Sequence, residues 1–275
     1  MGPQIRTESK MRQFLVDAFA PKPFTGNPAA VCVMDHWPSD ESMRLLAREN
    51  NLSETAFLVG GNGRYHLRWF TPGCEVELCG HATLASSYVV MEHIEPNLNE
   101  VRFATLGGEV IVRREGHLFL MDMPTYELRE VPVTNDMEAA FGTKPTRAML
   151  GLDLICVFDD EQILRQMEPS QTLLERLPGR IQNATAGSTT CDCVSRSFCP
   201  KLSIPEDPVC GSAHCQIADY WCQELNKPEI LAYQASARGG YLKCRPLGNG
   251  RVLVGGEASL VAIAEVVAPL EDATT

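Results

Sequence analysis

A chain of 275 residues with 44% apolar residues and a formal net charge of −11 is a globular protein, long enough for two ordinary domains. The acidic balance, with no basic cluster to offset it, argues against a nucleic-acid partner. No apolar run reaches the roughly 18–20 residues that cross a bilayer, and no signal-peptide core follows the N-terminus, so no membrane partner is expected. Eleven scattered cysteines, an odd number, fit a reducing cytoplasm better than a disulfide framework. Only Cys191-x-Cys193 and His214-Cys215 come near metal-ligand spacing. Both are poor matches, so no metal site is expected.

In chain order, residues 1–10 are polar and patternless and read as a loose leader. Residues 14–19 predict a strand, residues 21–28 a loop with two turn signals, and the apolar run 29–34 a buried strand. Ser39-Asp40-Glu41 caps a helix that runs to about Asn50. Glu54 follows at the entry to the next strand, and residues 65–70 alternate like its hairpin partner. After Thr71-Pro72 and an acidic loop, Cys79-Gly80-His81 opens a helix of small and apolar residues. Residues 101–104, 109–113 and 117–121 predict an antiparallel meander broken by glycine turns. Residues 124–132 read as a loop crossing between halves. A strand at 154–159, one helix over 161–177 and a strand ending at Cys199-Pro200 come next. Cys210-Gly211-Ser212 then opens another helix, and a hairpin runs over 241–254.

That order repeats itself. Asp35, Pro72, Cys79-Gly80 and Gly107-Gly108 recur as Asp159, Pro200, Cys210-Gly211 and Gly239-Gly240, at offsets between 124 and 132. Matches in order at a nearly fixed offset mark a duplicated architecture, far longer than a solenoid unit. The fold class expected is α/β (α+β), with two pseudo-symmetric domains over residues 11–128 and 129–268. Each wraps a curved, mostly antiparallel sheet around the helix that opens on Cys-Gly.

Two such helix starts facing each other across a cleft would hold an anion, because their first N–H groups have no partner within the helix. Candidate proton carriers beside them are Glu54, Asp207 and His81, with thiols at Cys79 and Cys210. Glu54 lies among apolar residues that would raise its pKa if it were buried. Asp207 has its backbone restricted by Pro208. Taken singly, each has an ordinary structural explanation: a strand-edge glutamate, an Asp-Pro turn, a helix-start histidine, and for Ser212 a capping residue.

Taken together, the segments Phe24-Thr25-Gly26-Asn27-Pro28-Ala29-Ala30-Val31, Asn51-Leu52-Ser53-Glu54-Thr55-Ala56-Phe57, Phe70-Thr71-Pro72, Cys79-Gly80-His81-Ala82-Thr83 and Glu206-Asp207-Pro208-Val209-Cys210-Gly211-Ser212-Ala213-His214 resemble the phenazine-biosynthesis PhzF-like isomerase family. The resemblance runs from about residue 12 to 265 and implies the diaminopimelate epimerase-like fold. It also implies a cofactor-free isomerase, typically homodimeric, acting on a small carboxylate-bearing metabolite. In the phenazine enzyme that metabolite is trans-2,3-dihydro-3-hydroxyanthranilate. Carried over by motif, Glu54 is the general acid/base, with His81, Asp207 and Ser212 lining the site. Asn27, Cys79, Gly80, Cys210 and Gly211 complete the expected substrate-binding set. One departure stands out: Cys210 replaces a threonine common in the family. With Cys79 it forms the cysteine pair of the related racemases, where two thiols work on opposite faces of a carbon. A two-thiol racemase or epimerase is therefore the alternative, and a non-catalytic binding homologue a third.

Overall fold

The computed structural model describes residues 11–271; the leader predicted for residues 1–10 lies outside the described residues. The first half contains β1 (Met11–Ala18), β2 (Asn27–Met34), α1 (Asp40–Asn50), β3 (Thr55–Gly61), β4 (Arg64–Phe70) and β5 (Glu75–Val76). It continues with α2 (Gly80–Val89), β6 (Glu100–Thr105), β7 (Gly108–Glu115) and β8 (Leu118–Pro124). The second half contains β9 (Arg129–Val131), α3 (Asn135–Phe141), β10 (Arg147–Leu150), β11 (Leu154–Phe158), α4 (Glu161–Gln166) and α5 (Gln171–Leu174). Then come β12 (Gln182–Gly187), β13 (Cys193–Cys199), β14 (Ile204–Asp207), α6 (Gly211–Glu224), β15 (Ile230–Gln234), β16 (Gly240–Gly248), β17 (Arg251–Gly256) and β18 (Ala258–Val266).

Strand pairing carries the duplication seen in the sequence. In the first half β1 and β2 are antiparallel, β2 and β3 parallel, β3 and β4 antiparallel, β4 and β6 parallel, and β6, β7 and β8 an antiparallel meander. The second half repeats every direction in the order β10, β11, β12, β13, β15, β16, β17. Antiparallel pairing of β8 with β17 fuses the halves into one large mixed sheet. Gly107-Gly108 and Gly239-Gly240 occupy equivalent places, at the starts of β7 and β16.

Counted by the repeat, β9 is the first unit's counterpart of β18, and the two units trade these strands. β9 follows β8 but pairs with β10, and β18 follows β17 but pairs with β1. Strand pairing therefore lays residues 258–266, which the repeat groups with the second half, along the first.

One hydrophobic core runs through both halves and encloses the two Cys-Gly helices, through Leu84, Ala85 and Val89 of α2 and Ala213, Ile217 and Ala218 of α6. α2 is buried along almost its whole length, so its polar side chains bond inward. The hydroxyls of Ser86 and Ser87 donate to the carbonyls of Ala82 and Thr83 four residues back, which spares buried oxygens from going unpaired. Smaller clusters lie under α1 and beneath α3 to α5.

Two sequence expectations need correction, and four strands go unread in the sequence. The single helix over 161–177 is two short ones, because Pro169 biases Glu168 away from helical geometry and Ser170 starts the second helix. Residues 124–132 are not all loop, since Arg129–Val131 joins the sheet. β10, β12, β15 and β18 carry too weak an alternation to be read from sequence, their edges being set by partners distant in the chain.

Candidate active site

The candidate site lies where α2 and α6 begin. A Cβ built on Gly80 would lie 3.7 Å from the Cα of Gly211, so the two helix starts touch across the pseudo-twofold. Cys79 and Cys210 are the N-caps, both in extended backbone geometry, and neither makes a side-chain cap hydrogen bond. A serine or aspartate there would satisfy an N–H of the first turn. Equivalent residues, Thr83 and His214, each bond the carbonyl of their own N-cap, at 2.5 and 2.7 Å. The second nitrogen of His214 meets Ser195 Oγ at 3.0 Å, so both ring nitrogens of this histidine are satisfied.

Glu54 stands in the connection between α1 and β3. Asn51, in left-handed conformation, ends α1 with its N–H bonded to the Ala47 carbonyl. The side chain of Asn50 then donates to Thr55 Oγ1 at 3.0 Å and holds the loop down. Glu54 Oε2 consequently sits 3.3 Å from His81 Nε2, with the two side chains only 15% and 7% exposed. The pair is close but not aligned, and both atoms are left without a hydrogen-bond partner. Buried polar atoms are seldom left so in a finished core, and these two meet at the cleft. Burial, and then the charge of Asp207, push the Glu54 carboxyl up to about 7, against a smaller downward pull from Cys79. Burial also drives His81 down to about 4, so its imidazole is neutral at neutral pH. Cys79 Sγ lies 3.6 Å from the other ring nitrogen, His81 Nδ1.

The second helix start is organised by Asp207. Its Oδ1 accepts from Asn27 Nδ2 at 2.9 Å and from the Val209 N–H at 3.0 Å, the turn expected before Pro208. Gln234 ties the same turn to the helix cap, donating to the Asp207 carbonyl and accepting from the Cys210 N–H. Burial raises the Asp207 carboxyl to about 6, while Cys210, the Val209 N–H and Arg180 draw it down. Cys210 Sγ is 3.5 Å from Ser212 Oγ. Both cap thiols are pushed well above their ordinary range, first by burial and next by a carboxylate, Glu54 for Cys79 and Asp207 for Cys210.

Every residue singled out from the sequence thus falls in one of two adjoining groups. Glu54, Cys79, Gly80 and His81 surround the first helix start, and Asn27, Asp207, Cys210, Gly211 and Ser212 the second. Among the described residues, the set able to hold a metal ion is Glu54, Cys79 and His81, whose ligand atoms lie within 4.8 Å of one another. It is not the Cys191–Cys193 or His214–Cys215 pair that spacing brings forward. The sequence gives no sign of Arg180, Asp153 or Gln234. Arg180 donates to Ser212 Oγ at 3.0 Å and pairs with Asp153. Its partners lie 27 residues before it and 32 after it, so no local motif marks it.

Residues 16–264 match the PhzC-PhzF family, described as phenazine biosynthesis-like protein. Over 247 residues the chain is 45% identical to an uncharacterized isomerase of Pseudomonas aeruginosa, covering 90% of this chain and 95% of that one. A PhzF-family phenazine biosynthesis protein from Enterococcus faecalis superposes with a TM-score of 0.91 at 42% identity, covering 94% of this chain and all of that one. A hydroxyproline epimerase from Agrobacterium vitis, at 12% identity, shares the fold alone, with a TM-score of 0.60 over 94% of this chain and 91% of its own. The helix starts, the duplicated sheet and these likenesses agree, and the chain belongs to the PhzC-PhzF, phenazine biosynthesis-like, family.

Proposed function

We propose that this protein is an isomerase that moves a proton at a carbon near the carboxylate of a small metabolite, with Glu54 as the general acid/base. The observation that carries the proposal is the nearly buried Glu54 carboxyl, whose Oε2 faces His81 at the start of α2 without a hydrogen-bond partner. A carbon-bound proton is weakly acidic, so its removal needs a placed base and donors for the enolate that forms. A carboxyl raised to about 7 is present both as base and as acid near neutrality, so one group can take the proton and return it. Neutral His81 offers a hydrogen bond without adding charge. The free N–H groups at the two helix starts face the place where negative charge would develop. Asn27 and Asp207 shape the opposite wall. Each of these roles falls to the chain's own side chains and backbone, as the cofactor-free mechanism implied by the family resemblance requires.

The two-thiol alternative is less well supported, because burial and adjacent carboxylates hold both cap thiols in the protonated form. The test is deuterium wash-in from solvent into a panel of small carboxylates that includes trans-2,3-dihydro-3-hydroxyanthranilate. Wild-type protein is expected to exchange a carbon-bound proton of its substrate, and Glu54→Gln to lose at least about 100-fold of that rate, the usual scale of acid–base assistance. Retained exchange in Glu54→Gln, with loss in both Cys79→Ala and Cys210→Ala, would instead establish the racemase. Binding of a panel member without any exchange would establish the non-catalytic homologue. The family resemblance extends the proposal to a homodimer, which light scattering on the purified protein tests, and the scattered cysteines extend it to a cytoplasmic protein, which cell fractionation tests. Among the described residues no helix is long and apolar enough to cross a membrane.

A further inference from the structure

Arg180 stands beside the start of α6 with part of its guanidinium unused. Its Nε and Nη2 donate to the two oxygens of Asp153 at 3.2 and 3.4 Å, and Nη2 also reaches Ser212 Oγ at 3.0 Å. These Asp153 contacts are longer than the ~2.7–2.9 Å of a tight charge-assisted pair. Fully buried Asp153 does not rely on them alone. The Ile181 N–H and Gln216 Nε2 donate to the same two oxygens at 3.1 and 3.0 Å. Nη1 makes no hydrogen bond among the described residues, and the side chain is 38% exposed. Nη1 is thus a donor of the planar fork still open to a ligand.

The site's electrostatics call for a cation at this place. Glu54 and Asp207 repel each other across the cleft, and an incoming carboxylate would meet two groups of its own sign. Arg180 is the cation whose charge acts on Asp207, and it also interacts with the Cys210 thiol. The Ser212 oxygen accepts from Arg180 and lies 3.5 Å from Cys210 Sγ, so its O–H can turn from that weak thiol contact to a ligand. The first N–H groups of α6, which no cap side chain satisfies, add donors on the same side. Across the paired helix starts, buried His81 and Glu54 present unpartnered atoms that likewise point to a ligand between them.

We infer that Arg180 is the anchor for the substrate's carboxylate. Nη1 and the Ser212 hydroxyl grip it at the start of α6, while Glu54 acts on the neighbouring carbon from the start of α2. The inference deepens the proposed function and rests on it for the identity of the ligand as a carboxylate. It makes Arg180 a binding residue and Asp153 a positioning one, held in turn by Gln216.

The probe is acetate, the smallest carboxylate, titrated by NMR relaxation against its neutral isostere acetamide at matched ionic strength. Wild-type protein should bind acetate in preference to acetamide. Arg180→Gln should weaken acetate by about tenfold, the value of a hydrogen bond to a charged group, while leaving acetamide unchanged. Arg180→Lys, which keeps the charge without the fork, should fall between. Equal acetate affinity in wild type and Arg180→Gln would overturn the inference. Equal loss of acetate and acetamide would do so too, since a merely structural arginine predicts it. If Arg180→Gln does not fold, Arg180→Lys must show an acetate-selective weakening, and its absence overturns the inference. Glu54→Gln should bind acetate at least as well as wild type, because it removes a repelling charge. Failure of the Glu54 role would appear in deuterium exchange, and failure of the Arg180 role in the acetate titration.

Discussion

Glu54 has an ordinary carboxyl value of 4.5 in an unfolded chain and about 7 in the folded protein. Below pH 4.5 it is protonated in both states, so the protein bears no penalty for enclosing it. As pH rises from 4.5 through 7, the unfolded chain releases this proton first, and the folded state loses relative stability. Above 7 the charge is carried in a site where the side chain is only 15% exposed, with Asp207 nearby. Glu54→Gln keeps the shape of the protonated acid and removes the titration. It should therefore stabilise the protein by on the order of 3 kcal/mol at pH 8, with the gain shrinking towards zero near pH 4.5. Urea unfolding of both proteins at the two pH values measures this. No gain at pH 8 would mean that the carboxylate is better solvated than its surroundings indicate. A variant that is inactive yet more stable is what an acid/base group held for function should give.

At the scale of elements, the seam between β8 and β17 joins the halves, and it is built around a missing side chain. Gly255 pairs with Leu120, and a Cβ there would lie 2.1 Å from the Phe119 carbonyl oxygen and 2.8 Å from the Leu120 Cα. Backbone cannot move aside as a flexible side chain can, so Gly255→Ala must push β8 away from β17. A cost of about 1–3 kcal/mol or more is expected, the range for overpacked interiors, read as a lower thermal midpoint. By contrast, Gly80→Ala would meet its nearest neighbour at 3.7 Å and should fold normally. The seam was not legible in the sequence, because Gly255-Gly256 looks like any turn signal until its partner strand is known. Elements that carry their own instructions were legible. Ser39 caps α1 by accepting from the Ser42 N–H, and Asn51 closes it, both within a few residues of the helix they bound. Glu54, His81 and Asp207 could be found because each lies inside a compact motif. Arg180 could not, since its meaning depends on Asp153 and Ser212, which only the folded sheet brings to it. The break in the helix over 161–177 was readable in principle from Pro169, whose effect on the preceding residue outweighs the apolar pattern.

Across the whole molecule, the exchange of β9 and β18 means that neither half is complete without the other. β18 pairs with β1 along nearly its full length, and its approach is pinned where the Ala20 N–H bonds the Glu257 carbonyl. Beyond it, the Glu271 carbonyl accepts from the Ser39 N–H at the cap of α1, and Leu270 packs on the cluster under that helix. The C-terminal segment is therefore a structural part of the first half, which holds Glu54 and His81. A chain ending after Gly256 should lose amide protection in β1 and α1 before the β10 to β13 sheet, although the cut is made in the second half. It should also lose the Glu54–His81 geometry, because α2 packs against both β1 and β18. Hydrogen exchange read by mass spectrometry distinguishes the cases. Loss confined to β16 and β17 would show that the halves are independent domains and that the exchanged strand is an accessory. Early loss in β1 and α1 would show that the cleft is held by a pairing which joins the end of the chain to its beginning. A peptide of residues 257–271 added in trans should then restore protection to β1, because the edge it leaves is a row of unpaired backbone donors and acceptors.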